Sequence, residues 1–207
     1  ELYLAKEYGA ARKLLLESRD KLEPDLFHYN IGTIDAKNGE WGISRFHLEK
    51  ALKSGFFDLR ADHNLEYVKG KLQLQGLSSS VKLQDRLLDK AMSVNPALFH
   101  TTSLILILLL LLFIKRKIIK RAFVIILWLT ISIVPVVAER LFLANISSAI
   151  VLQAAPRYEG PSAIFDKLSK ISVGSKIIIR EHDETWALVL APYGLVGWVK
   201  REQLGVY

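Results

Sequence analysis

Two long apolar runs constrain this chain more than any other feature of its sequence. They cover Ala97 to Ile114 and Ala122 to Ala138, and each is close to the roughly 20 residues that an α-helix needs to cross a bilayer. Unbroken stretches of Leu and Ile without a polar face suit lipid better than the half-exposed surface of a soluble protein. The sequence therefore predicts a two-helix transmembrane hairpin, with its helices at residues 97–114 and 122–143.

A short basic segment separates the two apolar runs. Five of its seven residues are basic: Lys115, Arg116, Lys117, Lys120 and Arg121. In short loops, an excess of Lys and Arg marks the cytoplasmic side of the membrane. We therefore expect residues 115–121 to be cytoplasmic, and we expect the parts before and after the hairpin to lie together on the opposite side.

The positive charge of the chain is concentrated in this membrane region. The net charge is +7, and residues 97–148 carry six basic side chains against one acidic side chain. Residues 1–96 carry 15 basic and 14 acidic side chains, and residues 149–207 carry seven and six. A surface that binds nucleic acid needs a clear excess of Lys and Arg. Neither flanking part has one, so we expect no nucleic-acid partner.

The residue types that catalysis and metal binding require are missing or poorly spaced. The chain has no cysteine, which excludes disulfides, thiolate metal sites and cysteine nucleophiles. Its five histidines show no metal-ligand spacing such as His-Glu-x-x-His, and no glycine-rich phosphate loop or Gly-x-Ser-x-Gly turn is present. We expect no enzymatic activity, no cofactor and no bound metal.

The first 73 residues repeat with a period of 33 to 34, which is typical of stacked helix pairs. The helical pattern is under way at Glu1 without a signal peptide, so we expect a part of the protein to have preceded Glu1. One helix face recurs 33 positions later: Tyr8, Ala11, Leu15 and Ser18 become Trp41, Ser44, Leu48 and Ala51. A second face recurs 34 positions later: Asn30, Ile31 and Lys37 become Asn64, Leu65 and Lys71. Units of this kind must stack to bury their apolar faces.

This pattern resembles the tetratricopeptide repeat, with Ile31-Gly32 in place of its Leu-Gly pair, and with Trp41 and Ser44 after a turn at Gly39. The resemblance implies an all-α tetratricopeptide-like domain over residues 1–73, with a concave peptide groove lined by its first helices. It nominates four ligand-binding residues: Asn30, Asn64, Lys37 and Lys71. The alternative is that each asparagine bonds a neighbouring helix and that each lysine is a solvated residue at a helix end.

From Ala149 onward the hydrophobic period changes from that of helices to that of strands. Turn signals separate short β-rich runs, which we place at residues 150–152, 176–180, 186–190 and 197–199. Five short strands in so few residues predict a small all-β barrel over residues 149–207. Residues 74–96, before the hairpin, are interpreted as a linker or an amphipathic helix.

The β-rich part resembles the bacterial SH3-like domain in the order and spacing of its motifs: Gly160-Pro161-Ser162, Val173-Gly174, Trp186, Gly197-Trp198-Val199 and Leu204. The segment before Gly160 departs from that pattern. Trp186 and Trp198 are candidates for a surface that recognises peptide or cell-wall material. The alternative is that at least one of them belongs to the core of so small a barrel.

Taken in order, the repeats, the two-span hairpin and the terminal SH3-like domain resemble BatE-type proteins of the bacterial Bat (Bacteroides aerotolerance) system. The resemblance implies a multidomain protein of the bacterial inner membrane with both soluble domains in the periplasm. It also implies a scaffold or adaptor in an aerotolerance stress complex, with von Willebrand A-domain Bat proteins and a cytoplasmic MoxR-type ATPase as partners. The alternative is a cell-wall sensor that binds peptidoglycan through its SH3-like domain.

Overall fold

The computed structural model describes residues 1–56, 58–74, 83–94, 96–181 and 183–207. Within these residues the chain forms seven α-helices and one antiparallel sheet of seven strands. It divides into two compact units, the first from Glu1–Ser93 together with Ser147–Tyr207 and the second from Val94–Ile146. The structure confirms the predicted combination of helices, a β-sheet and two helices long enough to cross a membrane. Residues 75–82 of the predicted linker lie outside the described residues.

Five helices belong to the first unit: α1 (Tyr8–Glu17), α2 (Pro24–Lys37), α3 (Trp41–Lys53), α4 (Leu59–Leu74) and α5 (Leu83–Ser93). Pro24 begins α2, where its missing N–H has no intrahelical partner to lose. Gly39 takes a left-handed φ of +80° in the turn between α2 and α3. The 33-residue repeat relates α1 to α3, and the 34-residue repeat relates α2 to α4.

Helices α2 and α3 approach each other closely at Gly32. A Cβ atom on Gly32 of α2 would lie only 3.0 Å from Cγ of Leu48 and 3.2 Å from the backbone nitrogen of Leu48. Ser44 of α3 is fully buried, and its Oγ donates a hydrogen bond to the Gly32 carbonyl at 2.7 Å. The missing side chain of Gly32 and the small hydroxyl side chain of Ser44 thus allow the two helices to touch. Beyond this contact, Leu48 forms a core with three residues of α4: Leu65, Val68 and Leu72.

Seven strands form the sheet: β1 (Ser147–Val151), β2 (Ala155–Tyr158), β3 (Lys167–Ile171), β4 (Lys176–Glu181), β5 (Trp186–Ala191), β6 (Gly197–Lys200) and β7 (Leu204–Val206). Their order across the sheet is β3-β2-β6-β5-β4-β1-β7. The four runs located from the sequence correspond to β1, β4, β5 and β6. The sequence pattern did not place β2, β3 or β7.

The sheet buries one apolar cluster to which all seven strands contribute. The chain that leaves β3 returns to β1, because the N–H of Gly174 donates to the carbonyl of Val151 at 2.7 Å. Here, Ile171 of β3 and Leu204 of β7 belong to the same buried cluster, although β3 and β7 are the edges. The other members come from the five remaining strands: Ala149, Val151, Ala155, Ile177, Ile179, Ala187, Val189 and Val199.

One face of α3 packs against this sheet. The ring of Phe46 occupies the space where a side chain on Gly205 of β7 would lie, since a Cβ atom there would be 2.6 Å from the ring. Nη1 of Arg45 donates to the Gly174 carbonyl at 2.9 Å, and Nζ of Lys53 donates to the Tyr207 carbonyl at 3.0 Å. The helices and the sheet of the first unit are therefore joined by direct side-chain contacts.

The carboxylate of Glu49 lies at the centre of this contact and is almost fully buried. It receives Nζ of Lys176 at 2.7 Å, the hydroxyl of Tyr207 at 2.9 Å and Nε of Arg45 at 3.2 Å. Burial by itself would raise the pKa of this carboxyl, but the charges of Lys176 and Arg45 outweigh it and lower the pKa to about 2. Lys176 also pairs with Asp89 of α5 at 2.8 Å, so one ammonium group links three segments of the chain.

Two apolar helices make up the second unit: α6 (Pro96–Lys115) and α7 (Ala122–Ala138), the latter followed by a π-helical turn (Glu139–Leu143). By length and composition, the stretches Ala97–Lys115 and Ala122–Leu141 can each cross a membrane. The indole Nε1 of Trp128 on α7 donates to the Leu106 carbonyl of α6 at 3.0 Å. This bond satisfies a polar group between two otherwise apolar helices. The five basic residues of the predicted loop are all exposed.

Gly32→Val should destabilise the first unit by about 1–3 kcal/mol, because the new branched side chain would force α2 and α3 apart. Gly70→Val is the matched control, since nothing lies within 4 Å of a Cβ at that helical position. Urea unfolding of the full chain in detergent, followed by near-ultraviolet circular dichroism, measures the difference. Equal midpoints for the two variants would contradict the close approach of α2 and α3.

Removing either partner of the Glu49–Lys176 pair should leave a buried charge uncompensated, at a cost of about 3–5 kcal/mol. The double variant Glu49→Gln with Lys176→Met should lose less stability than the two single variants added together. Strict additivity in the same urea assay would show that the pair does not couple the helices to the sheet.

The same pair predicts an acid dependence of stability. The pKa of Glu49 is lowered from 4.5 to about 2 on folding, so its stabilisation is complete above pH 4.5 and is lost as the pH falls toward 2. The loss is on the order of 3 kcal/mol. Glu49→Gln should lack this pH-dependent part of the stability. Its urea midpoint should therefore change less between neutral pH and about pH 3 than the midpoint of the unsubstituted chain.

Candidate functional site

A groove opens on the helical part of the first unit, between α2 and α4. Its volume is about 550 Å³, within the range of roughly 300–1,000 Å³ that ligand sites occupy. Eleven residues line it: Tyr3, Tyr29, Thr33, Ala36, Lys37, Trp41, Leu59, Arg60, His63, Asn64 and Tyr67. The contact with the sheet uses other residues, so the groove remains open in the first unit.

Helix periodicity explains why these residues meet. On α2 the lining side chains are spaced by three or four residues, from Tyr29 through Thr33 to Lys37, and therefore share one face. On α4 the same spacing runs from Arg60 through Asn64 to Tyr67. The core residues of α4 occupy other positions of that helix, whereas Tyr29 and Ala36 of α2 pack against the core as well as line the groove.

Aromatic rings form the apolar walls of the groove. Trp41 and Tyr67 meet edge to face with their ring centroids 6.0 Å apart. Tyr29 stacks on Phe56 at 4.7 Å, which holds the Tyr29 ring in place from behind. Rigid rings of this kind provide apolar contact area that loses little conformational entropy when a ligand binds.

Asn64 supplies an amide group from α4. Its Nδ2 donates to Oγ1 of Thr33 on α2 at 3.1 Å, and that hydroxyl donates in turn to the Tyr29 carbonyl at 2.9 Å. A side-chain amide has two N–H donors and one carbonyl acceptor. The bond to Thr33 thus orients the Asn64 amide and uses only one of its N–H groups. Both readings of this asparagine, as a helix-bridging group and as a ligand group, are compatible with this geometry.

The polar lining is basic in character. Lys37 and Arg60 contribute side chains to the groove, as does His63, whereas no acidic residue is among the described residues that line it. Arg60 is paired with Asp58, whose pKa is lowered chiefly by hydrogen bonds from Arg60. Asp58 itself does not line the groove. The site therefore favours groups that accept hydrogen bonds or carry negative charge.

Two of the four residues nominated from the sequence, Asn64 and Lys37, lie together in this groove. Asn30 is half-buried on α2 but is not among the lining residues, and Lys71 lies beyond the lining with its Nζ 5.2 Å from the ring centroid of Tyr67. The sequence reasoning did not nominate the aromatic lining. The sequence feature that could have predicted this aromatic lining is the spacing of large residues on the helix faces that carry Asn64 and Lys37.

The two nominated tryptophans lie on the face of the sheet that points away from its core. Trp186 is buried and contacts Tyr158 edge to face, with centroids 5.3 Å apart. Trp198 pairs in register with Tyr158 and with Leu188 and is half-buried. Trp186 is therefore a packing residue of a small outer cluster, and Trp198 is the more accessible of the two rings.

Two histidines meet between α2 and α3. Nδ1 of His28 lies 2.9 Å from Nδ1 of His47, and burial lowers the pKa of His28 to about 4 and that of His47 to about 3. Three cationic side chains face the pair and lower these pKa values further: Lys50, Arg19 and Arg12. A cationic surrounding disfavours a bound metal ion. No cluster of three or more metal-ligating side chains occurs in the described part of the chain.

The groove offers aromatic faces, an amide, a hydroxyl and cationic groups, which are suited to noncovalent binding of an extended ligand. Apart from the tyrosines, Thr33 is the one hydroxyl residue among the described residues that line the groove. Its hydroxyl is bonded to the Tyr29 carbonyl and to the Asn64 amide rather than to a base. In comparisons with protein-family models, curated proteins and solved structures, no match to this chain was found.

Proposed function

We propose that this protein is a membrane-anchored scaffold or adaptor, in which α6 and α7 are the anchor and the first unit binds protein partners. The observation that carries the proposal is the combination, in one chain, of two membrane-length helices and a folded unit with an open groove. The short, exposed basic loop between the helices supports an orientation in which that loop is cytoplasmic and the first unit is on the other side. In a bacterium, that side of the inner membrane is the periplasm.

The ligand class that suits the groove is an extended peptide segment with an apolar side chain and a carboxylate. The apolar side chain would lie against Trp41 and Tyr67, and the carboxylate would face Lys37. The free N–H of Asn64 would donate to a carbonyl of the peptide backbone. Together these groups would hold both the backbone and the side chains of a ligand.

The repeat spacing of α1 to α4, with Gly32 and Ser44 where α2 and α3 touch, supports a tetratricopeptide-like domain. The single core shared by both edge strands supports an SH3-like barrel. On this basis we propose a role in a Bat-type stress complex, with von Willebrand A-domain Bat proteins as partners.

A second candidate function is binding of peptidoglycan by the sheet. It is favoured by the partly accessible ring of Trp198 on the outer face and by Ile164 and Phe165, which are exposed in the connection between β2 and β3. Binding of the purified chain to cell-wall sacculi, lost in Trp198→Ala but kept in a groove variant, would favour this function over the scaffold.

The orientation can be tested with single cysteines, because the natural sequence has none. Lys13→Cys and Glu202→Cys place a thiol at exposed positions of the first unit, and Lys117→Cys places one in the basic loop. In spheroplasts of a bacterial host, a membrane-impermeant maleimide should label positions 13 and 202 but reach position 117 only after lysis. Labelling of position 117 in intact spheroplasts would reverse the orientation.

Groove binding can be tested with matched pairs of substitutions. Peptides selected from a random library on the full chain in micelles should bind Asn64→Ala about 2- to 10-fold more weakly, because one hydrogen bond worth about 0.5–1.5 kcal/mol is lost. Asn30→Ala occupies the matching repeat position outside the lining and should leave the affinity unchanged. Lys37→Ala should weaken binding mainly at low salt, whereas Lys71→Ala should not.

The helical circular dichroism of all four variants should equal that of the unsubstituted chain. Equal effects of Asn30→Ala and Asn64→Ala, with helicity retained, would place the ligand outside this groove.

A further inference from the structure

Helix α5 has two distinct faces. The face that carries Asp85, Asp89 and Met92 is turned toward the rest of the first unit: Asp85 accepts the Tyr193 N–H at 3.2 Å, Asp89 pairs with Lys176 at 2.8 Å, and Met92 is buried. These contacts fix the rotation of α5 about its axis. The remaining face therefore has a defined direction, away from the sheet.

The outward face of α5 is apolar. Leu83 and Leu87 lie one turn apart, and their exposed fractions are 72% and 61%. Lys90, on the following turn of the same face, is exposed as well. The Asp85 contact adds Tyr193, which is 69% exposed, beside the first turn of the helix. Two large apolar side chains one turn apart, followed by a cation, give this face the pattern of an amphipathic helix.

The covalent chain limits where this surface can be. Ser93 ends α5 and Pro96 begins α6, so only two residues separate α5 from a membrane-length helix. Because each residue spans at most about 3.6 Å, the end of α5 lies within roughly 11 Å of the start of α6. The C-terminal end of α5 is therefore tethered near the end of α6, a helix long and apolar enough to cross a membrane.

We infer that the Leu83, Leu87 and Lys90 face of α5 lies on the bilayer as an interfacial helix. The leucines enter the boundary between head groups and acyl chains, and the ammonium of Lys90 reaches lipid phosphates. Tyr193 adds an amphipathic ring of the kind enriched at membrane interfaces. The inference rests on the proposed membrane anchorage and extends it to a second, peripheral contact with lipid.

Four single-cysteine variants of the full chain test this contact, each labelled with an environment-sensitive fluorophore in phosphatidylcholine vesicles. Leu83→Cys and Leu87→Cys report on the proposed face, and Asp62→Cys on α4 is the exposed control. Leu108→Cys, exposed on the outside of α6, reports on the span. Labels at 83 and 87 should emit at shorter wavelength than the label at 62 and should be quenched by lipids with a shallow spin label. The label at 108 should be quenched best by lipids with a deep spin label.

The outcomes separate the two proposals. Emission and quenching at 83 and 87 equal to those at 62, with position 108 deep, would overturn the interfacial helix and leave the anchorage intact. A label at 108 that no spin-labelled lipid quenches would overturn the anchorage itself. Energy transfer between labels at 87 on different molecules at high lipid excess would show that a second copy covers the face, which also overturns the inference.

The role of Lys90 is tested by adding phosphatidylglycerol to the vesicles. The added anionic lipid should increase shallow quenching at position 87, because the ammonium is attracted to the surface. In a Lys90→Glu background this increase should disappear or reverse, while quenching at 108 stays unchanged. An unchanged increase in the Lys90→Glu background would show that Lys90 does not contact lipid.

Discussion

Three donors converge on the carboxylate of Glu49, two of them from parts of the chain far away in sequence, and the arrangement of the first unit depends on that convergence. Lys176 and Tyr207 come from the sheet, and Arg45 comes from the same helix as Glu49. A carboxylate so deeply buried is tolerated only when its charge and lone pairs are met. The pairing of Glu49 with Lys176 also determines which face of α3 the sheet covers. The sheet takes one face of α3, so the groove between α2 and α4 remains accessible to a ligand.

Other helices of the first unit also pack with some side chains and leave others accessible. Gly32 and Ser44 let α2 and α3 touch, while Tyr29 of α2 lines the groove. Helix α5 gives its acidic face to the sheet and keeps its leucines outside. Helices α2, α4 and α5 thus each pack inside the unit and leave other side chains accessible. A peptide, the cell wall or the bilayer would meet a different surface of one folded unit.

Local patterns made part of this structure predictable. The apolar runs and the 33-residue period are local patterns of the sequence, so the two membrane-length helices and the turn at Gly39 between two helices could be predicted from it. Strand β3 was not predicted, because four of its five residues are exposed and two are lysines, which removes the alternation that marks a strand. The Glu49–Lys176 pair joins positions 127 residues apart, and no short-range pattern records such a contact. Asn64 was nominated from the repeat, whereas the aromatic lining of the groove required the packed helices.

The first unit is discontinuous in sequence, because the hairpin of α6 and α7 is inserted between its helices and its sheet. The helices of the unit are therefore synthesised before the hairpin, and the sheet is synthesised after it. At about 5–20 residues per second, the ribosome adds Lys176 roughly 6 to 25 s after Glu49. During that delay the helices exist without the sheet, and the Glu49 side chain is still in contact with water. Closure of the unit thus waits until both α6 and α7 have been synthesised.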